Sequence, residues 1–177
     1  MRRLAPLVAF AALAACDAPS KPPAAVPPPA LSAAPAKPAR VIADPGAFVS
    51  EVYANLVRND GYAPPTDIYT PRLQALWDGM LKDQAAGDEV GPIDFDFWTN
   101  AQDWRLHDVK VTVREVFRRP DRKVVTARFK NEDRAEDLRF YFERDGANWR
   151  LDDVRSVGKE AWTLSLLLKY QWDDDAA

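Results

Sequence analysis

The chain has 177 residues, 47% of them hydrophobic and 29% charged, an ordinary globular balance for one domain with some unstructured chain beside it. Net charge is −3, and loss of a leader carrying Arg2 and Arg3 takes it to −5, which excludes the basic footprint of a nucleic-acid binder. One cysteine and one histidine exclude an intrachain disulfide and a Cys/His zinc site.

Met1-Arg2-Arg3 precedes an apolar run, Leu4 to Ala15. It is shorter than the roughly 20 residues a spanning helix needs and has the size of a secretory leader, residues 1–15. The run ends Leu13-Ala14-Ala15-Cys16, which resembles the lipobox of bacterial lipoproteins. That resemblance implies cleavage before Cys16, acylation of its sulfur with palmitate among the chains, and anchorage in the bacterial cell envelope facing the periplasm. The alternative is an ordinary Ala-x-Ala cleavage with a stray cysteine. An exposed thiol in an oxidising compartment is a liability, which favours lipidation. Asp17 directly follows, and in enterobacterial lipoproteins an aspartate there favours inner-membrane retention. Residues 16–43 then form a tether of Pro, Ala, Ser and Lys, including Pro22-Pro23 and Pro27-Pro28-Pro29. Such chain cannot offset its ordering entropy. In polyproline II at about 3.1 Å per residue it reaches roughly 80 Å from the lipid.

The folded domain is expected over 44–172, followed by an acidic tail, 173–177. Asp44-Pro45 is a helix start, an aspartate cap with proline at the first helical position. Phe48, Val49, Val52, Tyr53, Leu56 and Val57 share one face of that helix, which ends at Asn59-Asp60-Gly61. Thr70-Pro71 repeats the signal, and Leu73, Leu76, Trp77, Met80 and Leu81 form a second stripe that stops near Gly87. The stretch Gly91 to Trp104 concentrates aromatics and carboxylates. Beyond it the period becomes two: Val109, Val111 and Val113, with a phase slip at Val116 that predicts a bulge or a change of buried face. Pro120-Asp121 reads as a turn. Val125, Ala127 and Phe129 alternate next, then Leu138, Phe140 and Phe142, and Asp145-Gly146 marks a hairpin before Trp149 and Leu151. A last helix is expected from Thr163 to Gln171. Helices followed by consecutive strands predict an α+β domain, with helices packed on one face of a curved four-stranded antiparallel sheet.

This order resembles the nuclear-transport-factor-2-like cone. The residues Tyr69-Thr70-Pro71-Arg72-Leu73, Ile93-Asp94-Phe95-Asp96-Phe97 with Ala101-Gln102-Asp103, and Trp149-Arg150-Leu151-Asp152-Asp153-Val154 are similar to a bacterial envelope family known as domain of unknown function 3828. The resemblance spans roughly residues 47–168. It implies a lipoprotein context, in accord with Cys16, and a fold shared by isomerases, dehydratases, carriers, immunity proteins and interaction modules, so fold alone decides no function.

Strict alternation places Asp153 on the apolar face with Trp149 and Leu151, where a carboxylate would have a raised pKa suited to acid/base work. The plainer alternative has Asp153 bonding backbone or an arginine such as Arg72. Asp96 suits capping a short helix from Phe97. Asp94, Gln102 and Asp103 are candidate ligand-binding groups at a cone mouth, or else braces of their loop. A calcium loop lacks its required spacing and glycine. Phe95, Phe97, Trp98 and Trp104 either line a ligand pocket or belong to the core. His107 reads as a surface residue. The sequence shows no nucleophile elbow, phosphate loop or metal run.

The expectation is therefore a non-enzymatic, lipid-anchored envelope protein. It needs no metal or cofactor, does not bind nucleic acid, and engages a protein partner or a small apolar ligand. The alternatives are a cone-type isomerase or dehydratase using Asp153 with Asp103 or Tyr141, and a toxin-immunity protein.

Overall fold

A computed structural model describes residues 40–58, 61–87, 91–158 and 160–170. The leader, the lipidation candidate Cys16, Asp17, the tether as far as residue 39, Asn59, Asp60, Gln171 and the acidic tail lie outside the described residues. Helix α1 runs Pro45–Arg58 and α2 runs Pro71–Ala86. Strands β1 (Leu106–Val116), β2 (Arg119–Asn131), β3 (Arg134–Asp145), β4 (Asn148–Ser156) and β5 (Trp162–Thr163) form one antiparallel sheet in the order of the chain, and a single turn of helix, α3 (Leu164–Leu167), follows. The architecture is α+β, with five strands where the periodicity predicts four.

Both helices begin where their caps dictate. The Asp44 carboxylate accepts from Ala47 N at 2.8 Å, and Thr70 Oγ1 accepts from Leu73 N at 3.2 Å with Pro71 behind it. Each bond satisfies one of the orphan donors of a first helical turn. From α1, Val49, Val52, Tyr53 and Leu56 are buried, whereas Val57, expected on the same face, is 49% exposed beside the helix end. They meet Val125, Ala127, Phe129, Leu138, Phe140, Phe142, Trp149, Leu151 and Val154 from alternate positions of β2, β3 and β4 in one core. The opposite face carries charge: Arg128 reaches Asp137 at 2.7 Å, and Arg122 pairs with Glu143.

Three register shifts bend the sheet, between His107 and Lys110, between Glu115 and Val116, and opposite Tyr141/Phe142. The second is the slip expected at Val116. It also displaces the expected turn: the β1–β2 connection is Phe117-Arg118, and Pro120-Asp121 lies inside β2, in the segment skipped by the ladder. The third shift changes what β4 presents. Phe142 faces Leu151 and Tyr141 faces Asp153, so Asp152 is the extra residue and the strand reverses phase there.

The outer edge of β4 is closed by three short segments. Ile42 accepts from Trp149 N at 3.0 Å and donates to Asn148 Oδ1 at 2.6 Å, so the fold includes residues assigned above to the tether. Ile68 to Thr70 run beside Leu151, which donates to Ile68 O at 2.9 Å and accepts from Thr70 N at 2.8 Å. Past the bulge, β5 pairs with Arg155 and Ser156. Covering an edge in this way removes a template for unwanted pairing. It also fixes the entry to α2, and with it Tyr69.

Candidate functional site

An aromatic cleft of about 470 Å³ opens between α2, the loop before it and the Asp96–Trp98 turn. Its walls are Pro64, Thr66, Tyr69, Gln74, Trp77, Leu81, Asp96, Phe97 and Trp98. Gln74, Trp77 and Leu81 stand at i, i+3 and i+7, which places them on one helical stripe. The core takes only Leu73 and Met80 fully from α2; Trp77 is half-buried and Leu81 is 54% exposed. The surplus apolar width of this helix is what forms the cleft wall. Tyr69 is set by the bridge between its backbone and Leu151, and its ring lies 6.2 Å from that of Trp77, nearly parallel. Trp77 continues to Phe97 at 6.1 Å, and Phe97 to Trp98 at 5.6 Å.

The floor is rigidly held. The Asp96 carboxylate accepts from Trp98 N at 2.7 Å, Asp96 O accepts from Thr99 N, and Asp96 N donates to Ala101 O. This is a side-chain-closed turn over 97–100, and the helix expected from Phe97 does not form. Asn100 adopts φ 54°, a left-handed conformation that asparagine tolerates. There its side chain accepts from Trp162 Nε1 and donates to buried Glu136, tying the turn to β5 and β3. Trp98 is 2% exposed, stacks on Phe140 at 4.6 Å, and its carbonyl accepts from the Tyr53 hydroxyl at 2.7 Å. It is at once a core residue and the back of the cleft.

Burial dominates the electrostatics here. It raises the Asp96 carboxyl above its ordinary value, against the lowering effect of the Trp98 and Thr99 N–H groups. Burial, followed by the charge of Asp96, raises the Tyr69 phenol. Burial likewise holds Tyr53 neutral. The indole Nε1 of Trp77 is buried with no hydrogen-bond partner among the described residues. A mostly apolar concavity with few convergent polar groups is the usual form of a small-molecule site.

The residues singled out from sequence are dispersed. Of Asp94, Phe95, Phe97, Trp98, Gln102, Asp103, Trp104 and Asp153, only Phe97 and Trp98 line this cleft. Gln102 donates to Asp94 at 3.3 Å on the surface, and Phe95 packs on Trp162 at 5.3 Å. Asp103 and Trp104 border a separate hollow of about 620 Å³ with Gly61, Arg105, Asn131 and Glu132, a polar setting in which Trp104 Nε1 is nonetheless buried without a partner among the described residues. His107 is on the surface, with Nε2 2.7 Å from Glu132 O.

Asp153 is the main correction. The bulge at Asp152 turns it away from Trp149 and Leu151 onto the outer face, beside Tyr141 in a polar groove lined also by Arg114, Arg122 and Arg155. Its carboxylate accepts from Val154 N at 2.9 Å, Ser165 N at 3.0 Å and Ser165 Oγ at 2.7 Å, with Arg72 Nη2 at 3.8 Å. Arg72 and Thr70 also bind Asp152. Two of the three residues named for an enzymatic reading, Asp153 and Tyr141, thus meet; Asp103 is elsewhere. Tyr69, Gln74, Trp77 and Leu81 were not singled out as a site, because they come from segments that only the fold joins to the Asp96 turn. Among the described residues, no cluster of three or more His, Cys, Asp or Glu side chains is arranged to hold a metal ion.

In comparisons with protein-family models, curated proteins and solved structures, the chain matched none.

Proposed function

We propose that this is a lipid-anchored protein of the bacterial envelope whose cone-like domain binds a small, largely apolar molecule without chemically changing it. The observation that carries the reading is the aromatic cleft. Tyr69, Trp77, Phe97 and Trp98 supply a continuous apolar wall, and the volume lies in the range of small-ligand sites. The Leu13-Ala14-Ala15-Cys16 run and the proline-rich tether supply the anchor and the reach. Asp153 gives less support to an enzymatic reading, because its carboxylate oxygens are already engaged by Val154 and Ser165.

The test uses the neutral fluorescent dye N-phenylnaphthylamine with the full-length chain and with Leu81→Arg. Leu81 is exposed at the rim, so the substitution obstructs the cleft at little cost to folding. Saturable one-to-one binding that weakens by roughly tenfold in the variant is expected, from the loss of one apolar wall contact and the intrusion of a charged side chain. Binding equal in both proteins, or none in either, refutes the proposal.

A further inference from the structure

We infer that the cleft selects an organic cation, an alkylated or aromatic ammonium group carrying an apolar body. This deepens the proposed function and rests on the cleft being a ligand site.

Among the described residues, Asp96 is the only charged one in the cleft walls, and no lysine, arginine or histidine lines it. It forms no ion pair among the described residues, although twelve such contacts occur elsewhere in the domain. Its Oδ1 takes the Trp98 N–H, with the Thr99 N–H also directed to it, and a carboxylate with about four lone-pair sites keeps acceptor capacity beyond these. In the sheet, by contrast, Asp121 and Asp137 each face an arginine within 2.8 Å. A carboxylate in an apolar setting without a cationic partner is costly unless something positive meets it.

The remaining walls favour the same sign. Four aromatic rings line the cleft; an aromatic face carries a negative quadrupole, and a cation within about 6 Å of one is attracted, most strongly by tryptophan. An anion would meet repulsion from both the rings and Asp96. Among the described residues no arginine lines this cleft, whereas Arg114, Arg122 and Arg155 line the outer-face groove. An inorganic cation does not fit the chemistry, because calcium takes six to eight oxygen ligands and magnesium six, and here one carboxylate stands among rings. A weakly hydrated onium group matches both parts of the wall, and its apolar substituents match Leu81, Pro64 and Phe97.

The test compares benzyltrimethylammonium with neopentylbenzene, the uncharged isostere in which carbon replaces nitrogen. Both are titrated by tryptophan fluorescence into the full-length chain, into Asp96→Asn, and into Gln74→Lys. Asparagine retains an acceptor for the Trp98 N–H, so the turn is kept. Gln74 is exposed on α2, and lysine there brings an ammonium group to the same wall without touching the core. The native chain is expected to prefer the cation by at least roughly tenfold, and both variants to bring that ratio close to one. Equal affinity for the two probes in the native chain overturns the cation inference and leaves the apolar cleft standing. Failure of both probes to bind overturns the two together.

Discussion

Replacing Asp153 separates a brace from a catalytic acid. Its side chain is 14% exposed and joins β4 to the start of α3 through Ser165, which is itself buried. Alanine removes three acceptor contacts. The Val154 bond is local, and the Ser165 hydroxyl can turn elsewhere, but the buried Ser165 N–H loses its partner, at about 1–3 kcal/mol. Adding the charge-assisted part of the other contacts gives about 3 kcal/mol for Asp153→Ala. Asparagine keeps an oxygen for the two N–H groups and can donate to Ser165 Oγ, so Asp153→Asn should cost about 1 kcal/mol. Urea unfolding followed by tryptophan fluorescence measures both. At about 4 °C per kcal/mol for a domain of this size, the alanine variant should also melt roughly 12 °C lower. Alanine within about 0.5 kcal/mol of the native protein, or asparagine as damaging as alanine, would refute the bracing argument.

Two further outcomes follow from the packing and charge of the Asp96 turn. Tyr53→Phe strands the buried Trp98 carbonyl and should cost about 1–2 kcal/mol in the same unfolding assay, with no effect expected if that carbonyl is satisfied otherwise. Asp96 is a carboxyl whose folded pKa is raised, so its protonated form is the one the fold prefers. Its stabilising contribution is complete below the ordinary value of 3.8 and is lost as pH rises through the raised folded value. Asp96→Asn should remove this dependence, so the native chain should gain stability relative to the variant as pH falls through that window. A difference that is flat or of opposite slope in paired urea titrations contradicts it.

Much of the fold was legible because its signals are local. Asp44-Pro45 and Thr70-Pro71 each cap a helix through contacts three residues away, so their residue types alone report the start. The phase slip at Val116 marked a real register shift for the same reason. The bulge at Asp152 left no such trace. Alternation Trp149, Leu151, Asp153 reads as unbroken, and only the pairing of Tyr141 with Asp153 and Phe142 with Leu151 reveals the extra residue. One inserted position moved the favoured catalytic candidate to the other side of the sheet. Strand β5 escaped because two residues have no period to read, and Trp162-Thr163 is specified by the open edge of β4. The cleft was half legible. Trp98 and Phe97 were marked by the density of aromatics around them, whereas Leu81 read only as part of the buried stripe of α2 and proves 54% exposed. Tyr69 and Trp77 join them only through the parallel bridge to Leu151, a contact of 82 residues' separation that no local pattern records.

A small molecule held in the aromatic cleft would touch Trp77 and Trp98, the two tryptophans that line it. The chain has six tryptophans, and each indole N–H gives its own signal in a nitrogen–proton correlation spectrum. Titrating naphthylmethanol into the isotopically labelled full-length chain therefore reports the location of binding directly. Saturable shifts are expected to be largest at Trp77 and Trp98, with Trp104, Trp149 and Trp162 nearly still. The largest shift at Trp104, or no saturable shift at Trp77, would contradict it.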